Sequence, residues 1–97
     1  MDYKTELKNY LTPEGKLKLY PSKQKYKLIA LFYLAEYFEK NITYTEKEVN
    51  EILNKHHNFN DCCLLRRELF NKRFLNRSQD CSKYWVEEVH PNISDLL

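Results

Sequence analysis

The stretch TEKEVNEILNKHHNFNDCCLLRRELF, residues 45–70, decides the fold because it encodes two amphipathic helices joined by a short polar turn. Its first part carries Thr45 and Glu48 at the spacing of a capping box, in which each side chain satisfies a backbone N–H at the helix start. An apolar face then recurs at helical spacing through Val49, Leu53 and His56. This pattern predicts a helix from about residue 46 to 56.

The second part of the stretch predicts another helix directly after a turn. Residues 58–61 are rich in turn formers, and Asp61 is placed as the capping residue of the second helix. Cys62, Leu65 and Leu69 then fall on one side of that helix. Two short helices joined by a tight turn are the arrangement of a helix-turn-helix motif.

The flanking sequence adds a helix on one side and a hairpin on the other. Residues 23–40 contain no glycine or proline and carry a broad apolar stripe, which predicts a central core helix capped by Ser22. Residues 74–77 and 83–86 have the composition of two short strands around a polar turn. Residues 16–20 alternate like a strand, and we expect them to form the third strand of the sheet, beside the hairpin.

This element order predicts one α+β domain over residues 1–97, a winged helix-turn-helix with a three-helix core and a small antiparallel β-sheet. The winged-helix-like core spans about residues 15–87. An extra N-terminal helix is predicted over residues 3–11 from its apolar spacing. Residues 88–97 form a C-terminal tail with little pattern, expected to be partly disordered or to dock through its apolar residues.

Composition places the protein among small globular chains of the cytoplasm. No stretch approaches the ~20 apolar residues of a membrane span, and the first ten residues are polar where a signal peptide would be apolar. The three cysteines, two of them adjacent, cannot form the paired framework of a secreted domain and are expected to stay reduced. Neither a membrane nor a small-molecule substrate is predicted as a partner.

The charge distribution is more informative than the net charge of +2 and the pI near 8.4. Residues 16–27 contain five lysines and no acid, and residues 62–85 contain six cations against two acids. Residues 28–55 reverse the balance, with five acids against three lysines. Basic charge is therefore confined to two blocks, a pattern that points to phosphate contacts.

Several segments together resemble a bacterial family, the domain of unknown function numbered 2087. They are Gly15-Lys16-Leu17-Lys18 before Pro21, KYKLIALFYLAEYF, YTEKEVNEIL, Asp61 with LRRELF, Leu75 with Arg77, and the closing Tyr84-Trp85. The resemblance covers about residues 10–86. It implies a winged-helix-like fold, attachment in relatives to helix-turn-helix regulators and a role in transcriptional regulation. It implies no catalytic residues.

One position departs from the family pattern, which usually has glycine where this chain has Arg73. Glycine at the end of a helix commonly adopts the left-handed conformation that closes the last turn. We therefore expect the turn after the third helix to use another left-handed residue, such as Asn71, or a different cap.

The two basic blocks supply the candidate DNA-binding residues. Lysines in the first turns of the core helix oppose the helix dipole, a local conflict that is expected where phosphate is bound; the alternative is a solvated lysine-rich surface. Cations at the hairpin turn suit backbone contacts beside a minor groove. The candidate DNA-binding residues are Lys23, Lys25, Lys27, Asn60, Arg67, Asn71, Lys72, Arg73, Arg77 and Lys83.

The adjacent arginines of the third helix are predicted to have different roles. With Leu65 and Leu69 inward, Arg67 lies on the opposite face and can reach a phosphate or a base edge. Arg66 flanks the core and is expected to pair with an acid such as Glu48 or Glu36. Leu64 and Phe70 are predicted near the exposed side, where they mark a candidate protein interface. Thr45, Glu48 and Arg66 are the candidate structural residues.

No residue set predicts an active site. Adjacent Cys62 and Cys63 lack the gap that lets two sulfurs bind one zinc ion, and His56 is expected to be a satisfied core histidine. Neither a nucleophile with its base nor a glycine-rich phosphate loop can be assembled. We therefore expect no enzyme activity, no metal and no cofactor. Two hypotheses remain: a regulator that binds double-stranded DNA, and a domain that keeps the winged-helix frame for homodimerisation or for binding a regulatory protein.

Overall fold

Four helices and three short strands make up residues 2–87, the part of the chain that the computed structural model describes. This architecture confirms the predicted α+β class. The predicted tail, residues 88–97, lies outside the described residues. No helix in residues 2–87 is long and apolar enough to cross a membrane. In chain order the elements are α1 (Tyr3–Glu6), α2 (Gln24–Ala35), β1 (Tyr44–Thr45), α3 (Glu46–Asn54), α4 (Cys62–Asn71), β2 (Leu75–Arg77) and β3 (Lys83–Val86).

Helices α3 and α4 begin where their capping residues place them. The Glu48 N–H donates to Thr45 Oγ1 at 3.1 Å, and the Thr45 N–H donates to Glu48 Oε1 at 2.9 Å, which completes the capping box. At the start of α4, Asp61 Oδ1 accepts a hydrogen bond from the Leu64 N–H at 3.1 Å. These bonds satisfy N–H groups that have no partner within a helix.

The turn between α3 and α4 is organised by a buried histidine, His57. The Asp61 N–H donates to its Nε2 at 3.0 Å, so the ring proton lies on Nδ1, which donates to the Leu53 carbonyl oxygen at 2.7 Å. The prediction that His56 is the core histidine is wrong. Helix α3 ends at Asn54, so helical spacing does not extend to residue 56, and His56 is half-buried with its ring stacked on Tyr37.

The three strands form an antiparallel sheet in the order β1-β3-β2. Its third strand is β1, not residues 16–20 as predicted. Leu17 instead crosses the turn after α3: its N–H donates to the His56 carbonyl at 2.8 Å, and its carbonyl accepts from the Asn58 N–H at 3.0 Å. Alternation correctly places Leu17 in the core, but it cannot identify the backbone with which a segment pairs.

Helices α1 and α2 are shorter than predicted. Helix α1 ends at Glu6 rather than at residue 11, because residues 7–10 continue as turns that keep the same apolar spacing. The N-cap of α2 is Lys23, which makes no side-chain capping bond, so the prediction of Ser22 is wrong. Helix α2 ends at Ala35 rather than at residue 40. Around its end, hydrogen bonds between residues three positions apart tighten the backbone.

The core forms around α2, which is buried on all sides at its centre. Residues 29–34 are buried without interruption, so α2 has no exposed polar face there. The Phe32 ring meets the edge of Phe74 from the start of the hairpin, with ring centroids 4.8 Å apart, and stacks on Tyr3 from α1 at 5.8 Å. Helix α1 and the start of the hairpin therefore pack against the same helix.

Helix α4 ends in a Schellman motif whose left-handed residue is Arg73. The Phe74 N–H donates to the Leu69 carbonyl at 2.9 Å, the Arg73 N–H donates to the Phe70 carbonyl at 3.1 Å, and Arg73 has φ 66°. Asn71 stays helical, so the expectation that it takes the left-handed conformation is wrong. A side chain at this φ costs ~1 kcal/mol or more, because Cβ crowds the following carbonyl.

Arg66 ties α4 to α3. Its guanidinium lies 3.2 Å from the Glu46 carboxylate and also donates to Asn50 Oδ1. The partner differs from the predicted Glu48 or Glu36, because the Glu48 carboxylate is used in the capping box. The Arg66 side chain is 17% exposed and that of Glu46 is 48% exposed, so this ion pair lies at the rim of the core.

We expect Arg66→Ala to lower the free energy of unfolding by about 1–2 kcal/mol, since it removes a charged hydrogen bond and packed methylenes at a site open to solvent on one side. Arg67→Ala, which changes an exposed neighbour, should stay within about 0.5 kcal/mol of the parent. Urea denaturation of both variants measures the difference. Equal stabilities of the two variants would show that Arg66 has no structural role.

We expect Arg73→Gly to raise the free energy of unfolding by about 0.5–1 kcal/mol. Glycine relieves the strain of the left-handed conformation, and its greater backbone entropy in the unfolded chain offsets only part of that gain. Asn71→Gly is the matched control. It places glycine in the helix and should lower the stability by up to about 1 kcal/mol. A loss of stability in Arg73→Gly would mean that the arginine side chain itself stabilises the end of α4.

Candidate nucleic-acid interface

Helix α4 separates an apolar face from a polar one. Leu65 and Leu69 are fully buried, whereas Cys63, Arg67 and Asn71 are exposed. The three exposed residues follow one another at four-residue spacing, so they form a single row along the helix. We call this row the outward face of α4.

Of the two adjacent arginines, only Arg67 belongs to the outward face. Arg66 is held by Glu46 and Asn50 on α3. Within residues 2–87, Arg67 forms no ion pair, and its guanidinium is open to solvent. The outward face therefore offers a free planar cation one helical turn from a free side-chain amide, that of Asn71.

The first basic block lies beside α4 through Tyr20. The Tyr20 hydroxyl donates to Glu68 Oε1 at 3.1 Å, and the Lys27 ammonium lies 5.8 Å from the centre of the Tyr20 ring. Burial, reinforced by the negative charge of Glu68, raises the pKa of Tyr20, so the hydroxyl keeps its proton and remains the donor. This contact brings the first turns of α2 next to the middle of α4.

Lys23 and Lys25 are exposed at the start of α2, where no acidic residue lies in the first turn. The backbone N–H groups of this turn and the two ammonium groups give the same end of the helix a positive potential. Such an end attracts an anion, and the structure leaves both lysines accessible to one.

Arg77 is held against α4 from the hairpin side. Its guanidinium carbon lies 4.0 Å from the centre of the Phe70 ring, a distance typical of a cation–π contact. Phe70 and Leu64, expected near the exposed side, are both half-buried. Lys72 is half-buried at the C-cap of α4, and Arg73 is exposed directly after it.

Two other candidates lie at the margins of α4. Asn60 is exposed in the turn before the helix with φ 55°, a conformation that asparagine tolerates well. Lys83 is exposed at the start of β3 and lies opposite Thr45 in the register of the sheet, beside the start of α3. Arg67, Asn71 and Arg73 thus belong to α4 or its end, and Arg77 contacts the same helix through Phe70.

The tip of the hairpin carries a fixed negative charge that the sequence pattern did not reveal. Asp80 Oδ1 accepts from the Ser78 hydroxyl at 2.6 Å, the Ser82 hydroxyl at 2.7 Å and the Ser82 N–H at 3.1 Å. These bonds, led by that of Ser78, lower the pKa of Asp80 to about 2. The spacing Ser-x-Asp-x-Ser was the available signal, since short polar residues commonly bond locally in turns.

The thiols and histidines do not converge. Residues 2–87 contain no group of three or more histidine, cysteine, aspartate or glutamate side chains that could hold a metal ion. Cys62, Cys63 and Cys81 are all free thiols. Burial raises the pKa of Cys62, which keeps this thiol protonated and weakly nucleophilic.

A cavity of about 420 Å³ lies beyond the C-terminal end of α4, against β2 and the residue after β3. Five of its six lining residues lie within residues 70–76, yet no pattern in the sequence indicated it, because its shape depends on how the end of α4, β2 and Glu87 fold against one another. Its lining combines two opposite charges, two amides and two apolar side chains. The lining residues are Phe70, Asn71, Arg73, Leu75, Asn76 and Glu87.

Comparison with known proteins shows the family of the chain but not the chemistry of the site. No curated protein and no solved structure matches it. Residues 16–86 match the model of a family described as an uncharacterized protein conserved in bacteria (DUF2087), and the chain therefore belongs to that family.

Proposed function

We propose that this protein is a non-enzymatic DNA-binding module, a small cytoplasmic winged helix-turn-helix regulator of transcription that inserts α4 into the major groove. The observation that carries the proposal is the division of the two arginines. Arg66 is tied to Glu46, while Arg67 and Asn71 stand free on one exposed helical row. An arginine that is paired with an acid is not free to bind DNA, whereas an unpaired arginine on a polar face is.

The topology supports the proposal by analogy. The order α2, β1, α3, α4, β2, β3, with β3 in the middle of the sheet, is the element order of winged helix-turn-helix domains. In that arrangement α4 takes the place of the recognition helix, the hairpin of β2 and β3 is the wing, and α1 is an addition. Fold analogy alone does not establish function, so the outward face has to supply the chemistry.

The side chains of the outward face suit the edges of base pairs. A guanidinium fork matches the two acceptors of guanine, and a side-chain amide matches the donor and acceptor of adenine. Four residues of helix advance ~6 Å, close to the rise of two base pairs. Arg67 and Asn71 can therefore read base pairs about two steps apart while α4 lies in the groove.

Backbone contacts come from the cations on both sides of α4. Lys23 and Lys25 combine their charges with the free N–H groups at the start of α2, an arrangement that favours a phosphate. Arg77, stacked on Phe70, presents a second cation from the hairpin. These contacts would fix the register of the helix and supply most of the salt-dependent affinity.

A second candidate function is protein binding without DNA, and the hairpin tip favours it. Asp80 stays ionised at any physiological pH and stands between Arg77 and Lys83 in the sequence. A wing that approaches phosphate would meet repulsion there. In this alternative the half-buried Leu64 and Phe70 border an interface with a second copy or with a regulatory protein.

We expect the parent protein to bind a mixed-sequence DNA duplex with an affinity that falls linearly with salt on a logarithmic scale. Arg67→Ala should weaken binding about tenfold or more, since it removes a charged contact of ~1–3 kcal/mol. Fluorescence anisotropy over a series of salt concentrations measures both effects. Lys40→Ala, which removes one exposed cation outside the interface, is the control and should bind like the parent.

Two results would overturn DNA binding. One is the absence of any salt-dependent binding at low ionic strength. The other is an equal effect of Arg67→Ala and Lys40→Ala, because this would reduce binding to overall charge. If DNA does not bind, sedimentation equilibrium distinguishes the second candidate: a concentration-dependent dimer supports self-association, and a monomer at all concentrations excludes it.

We expect Asp80→Asn to raise the affinity for the same duplex by about two- to fivefold, since it removes one repulsive charge that salt only partly screens. Asparagine keeps an oxygen that can accept from the serines, so the loop should retain its shape. Glu51→Gln, at an exposed position of α3, is the matched control. Equal affinities of the two variants would show that the hairpin tip stays away from the DNA backbone.

A further inference from the structure

The lining of the cavity beyond α4 combines an aromatic ring with polar side chains. Phe70 is half-buried and its ring is held by Arg77 on one of its faces, whereas Leu75 is almost completely buried and offers a ligand little surface. The side-chain amides of Asn71 and Asn76 belong to the same lining. A volume of about 420 Å³ lies in the range of small-molecule sites, which combine an apolar lining with a few placed polar groups.

The two charges of the cavity are opposite and kept apart. Arg73 and Glu87 line the same space, yet no ion pair joins them, and neither pairs with any other residue in the part of the chain described here. Two opposite charges that face one cavity without forming an ion pair produce an electric field across it. A ligand with a negative end and a positive end can pair with both charges, whereas water only screens them.

The amides add donors beside Arg73. Asn76 Oδ1 accepts from the Arg77 N–H at 2.8 Å, which fixes the orientation of the amide and leaves its NH₂ group available to donate. Asn71 is exposed at the last position of α4 and can supply a second NH₂ group. With the guanidinium, these groups form a donor set suited to a carboxylate.

The backbone conformation of Arg73 is a second observation that bears on the cavity. The end of α4 requires φ 66° at this position, where glycine would fit without strain. A strained residue that persists in a fold is often kept for what its side chain contacts. Here the side chain lines the cavity.

We propose that this cavity binds a small zwitterion, with the chemistry of an apolar amino acid. Its carboxylate lies against Arg73 and the two asparagine amides, its ammonium group lies against Glu87, and its side chain packs on the Phe70 ring. Glu87 disfavours a phosphate or any other simple anion, because its carboxylate would repel it. Arg73 disfavours a simple amine for the converse reason.

Ligand binding does not depend on the DNA proposal, because the site is complete within the protein. If both hold, an occupied cavity withdraws Asn71 and Arg73 from the DNA, and the ligand lowers DNA affinity. That consequence rests on the proposed function. The experiment contains no DNA, so the two proposals fail separately.

The test titrates the full chain, labelled with ¹⁵N, with L-leucine, L-methionine or L-phenylalanine and follows backbone amide shifts by NMR. We expect at least one of the three to give saturable shifts centred on Phe70, Arg73, Leu75 and Asn76. Isopentylamine and 4-methylpentanoic acid, which match leucine without its carboxylate or its ammonium group, should each bind about tenfold more weakly or worse.

Three variants complete the design. Arg73→Gly, which suits the backbone, should lose about tenfold in amino-acid affinity, as should Glu87→Gln, while Lys40→Ala outside the cavity should bind like the parent. The proposal is overturned if none of the three amino acids gives saturable shifts at these amides. It is equally overturned if the acid or the amine alone binds as tightly as leucine, or if Arg73→Gly binds like the parent.

Discussion

The orientation of α4 depends on the hydrogen bonds of His57. One ring nitrogen donates to the last turn of α3 and the other accepts from the N-cap of α4, so a single buried side chain fixes both helices at their junction. The backbone on each side of His57 is paired with Leu17. Because neutral imidazole has one donor and one acceptor, only this tautomer satisfies both helix ends without an orphaned polar group. The outward face of α4 takes its direction from this junction.

The features that the sequence predicted are those set by residues close together in the chain. The capping box, the Asp61 cap and the burial of Leu65 and Leu69 follow from spacing within one or two turns. The distinction between Arg66 and Arg67 follows from the same spacing, although it could not tell Glu46 from Glu48 as the partner. Pairings between distant segments were not predictable in this way: β1 contains only two residues, and Leu17 pairs with a turn. The cavity escaped prediction although five of its lining residues lie within residues 70–76, because its shape also depends on the packing of Glu87, from beyond β3, against them.

Arg73 shows how local stability and a candidate site can oppose each other. The backbone at the end of α4 adopts the Schellman geometry without a glycine, held by its two hydrogen bonds and by the burial of Phe74 against Phe32. These contacts therefore offset the conformational strain of an arginine in the left-handed region. Such a conflict between local preference and observed residue is expected at sites under functional demand. It places the last turn of α4, together with its outward face, at the centre of both proposals.

The modest net charge of +2 is a weak argument against DNA binding. Because salt screens distant charges, the affinity for phosphate depends on the charges close to the binding surface. At ~0.1 M salt, charges more than ~10 Å apart are largely screened, while the described part of the molecule extends 35 Å along its longest axis. Acids on α3 that lie beyond that distance from a bound phosphate would contribute little. Glu68 is nearer: its carboxylate accepts a hydrogen bond from the neutral Tyr20 hydroxyl, which leaves its negative charge in place. Two sets of charge therefore meet around the outward face: its free cations, and the carboxylates of Glu68, of Glu87 at the cavity and of Asp80 at the hairpin tip. The balance between those two decides whether this surface meets phosphate or protein.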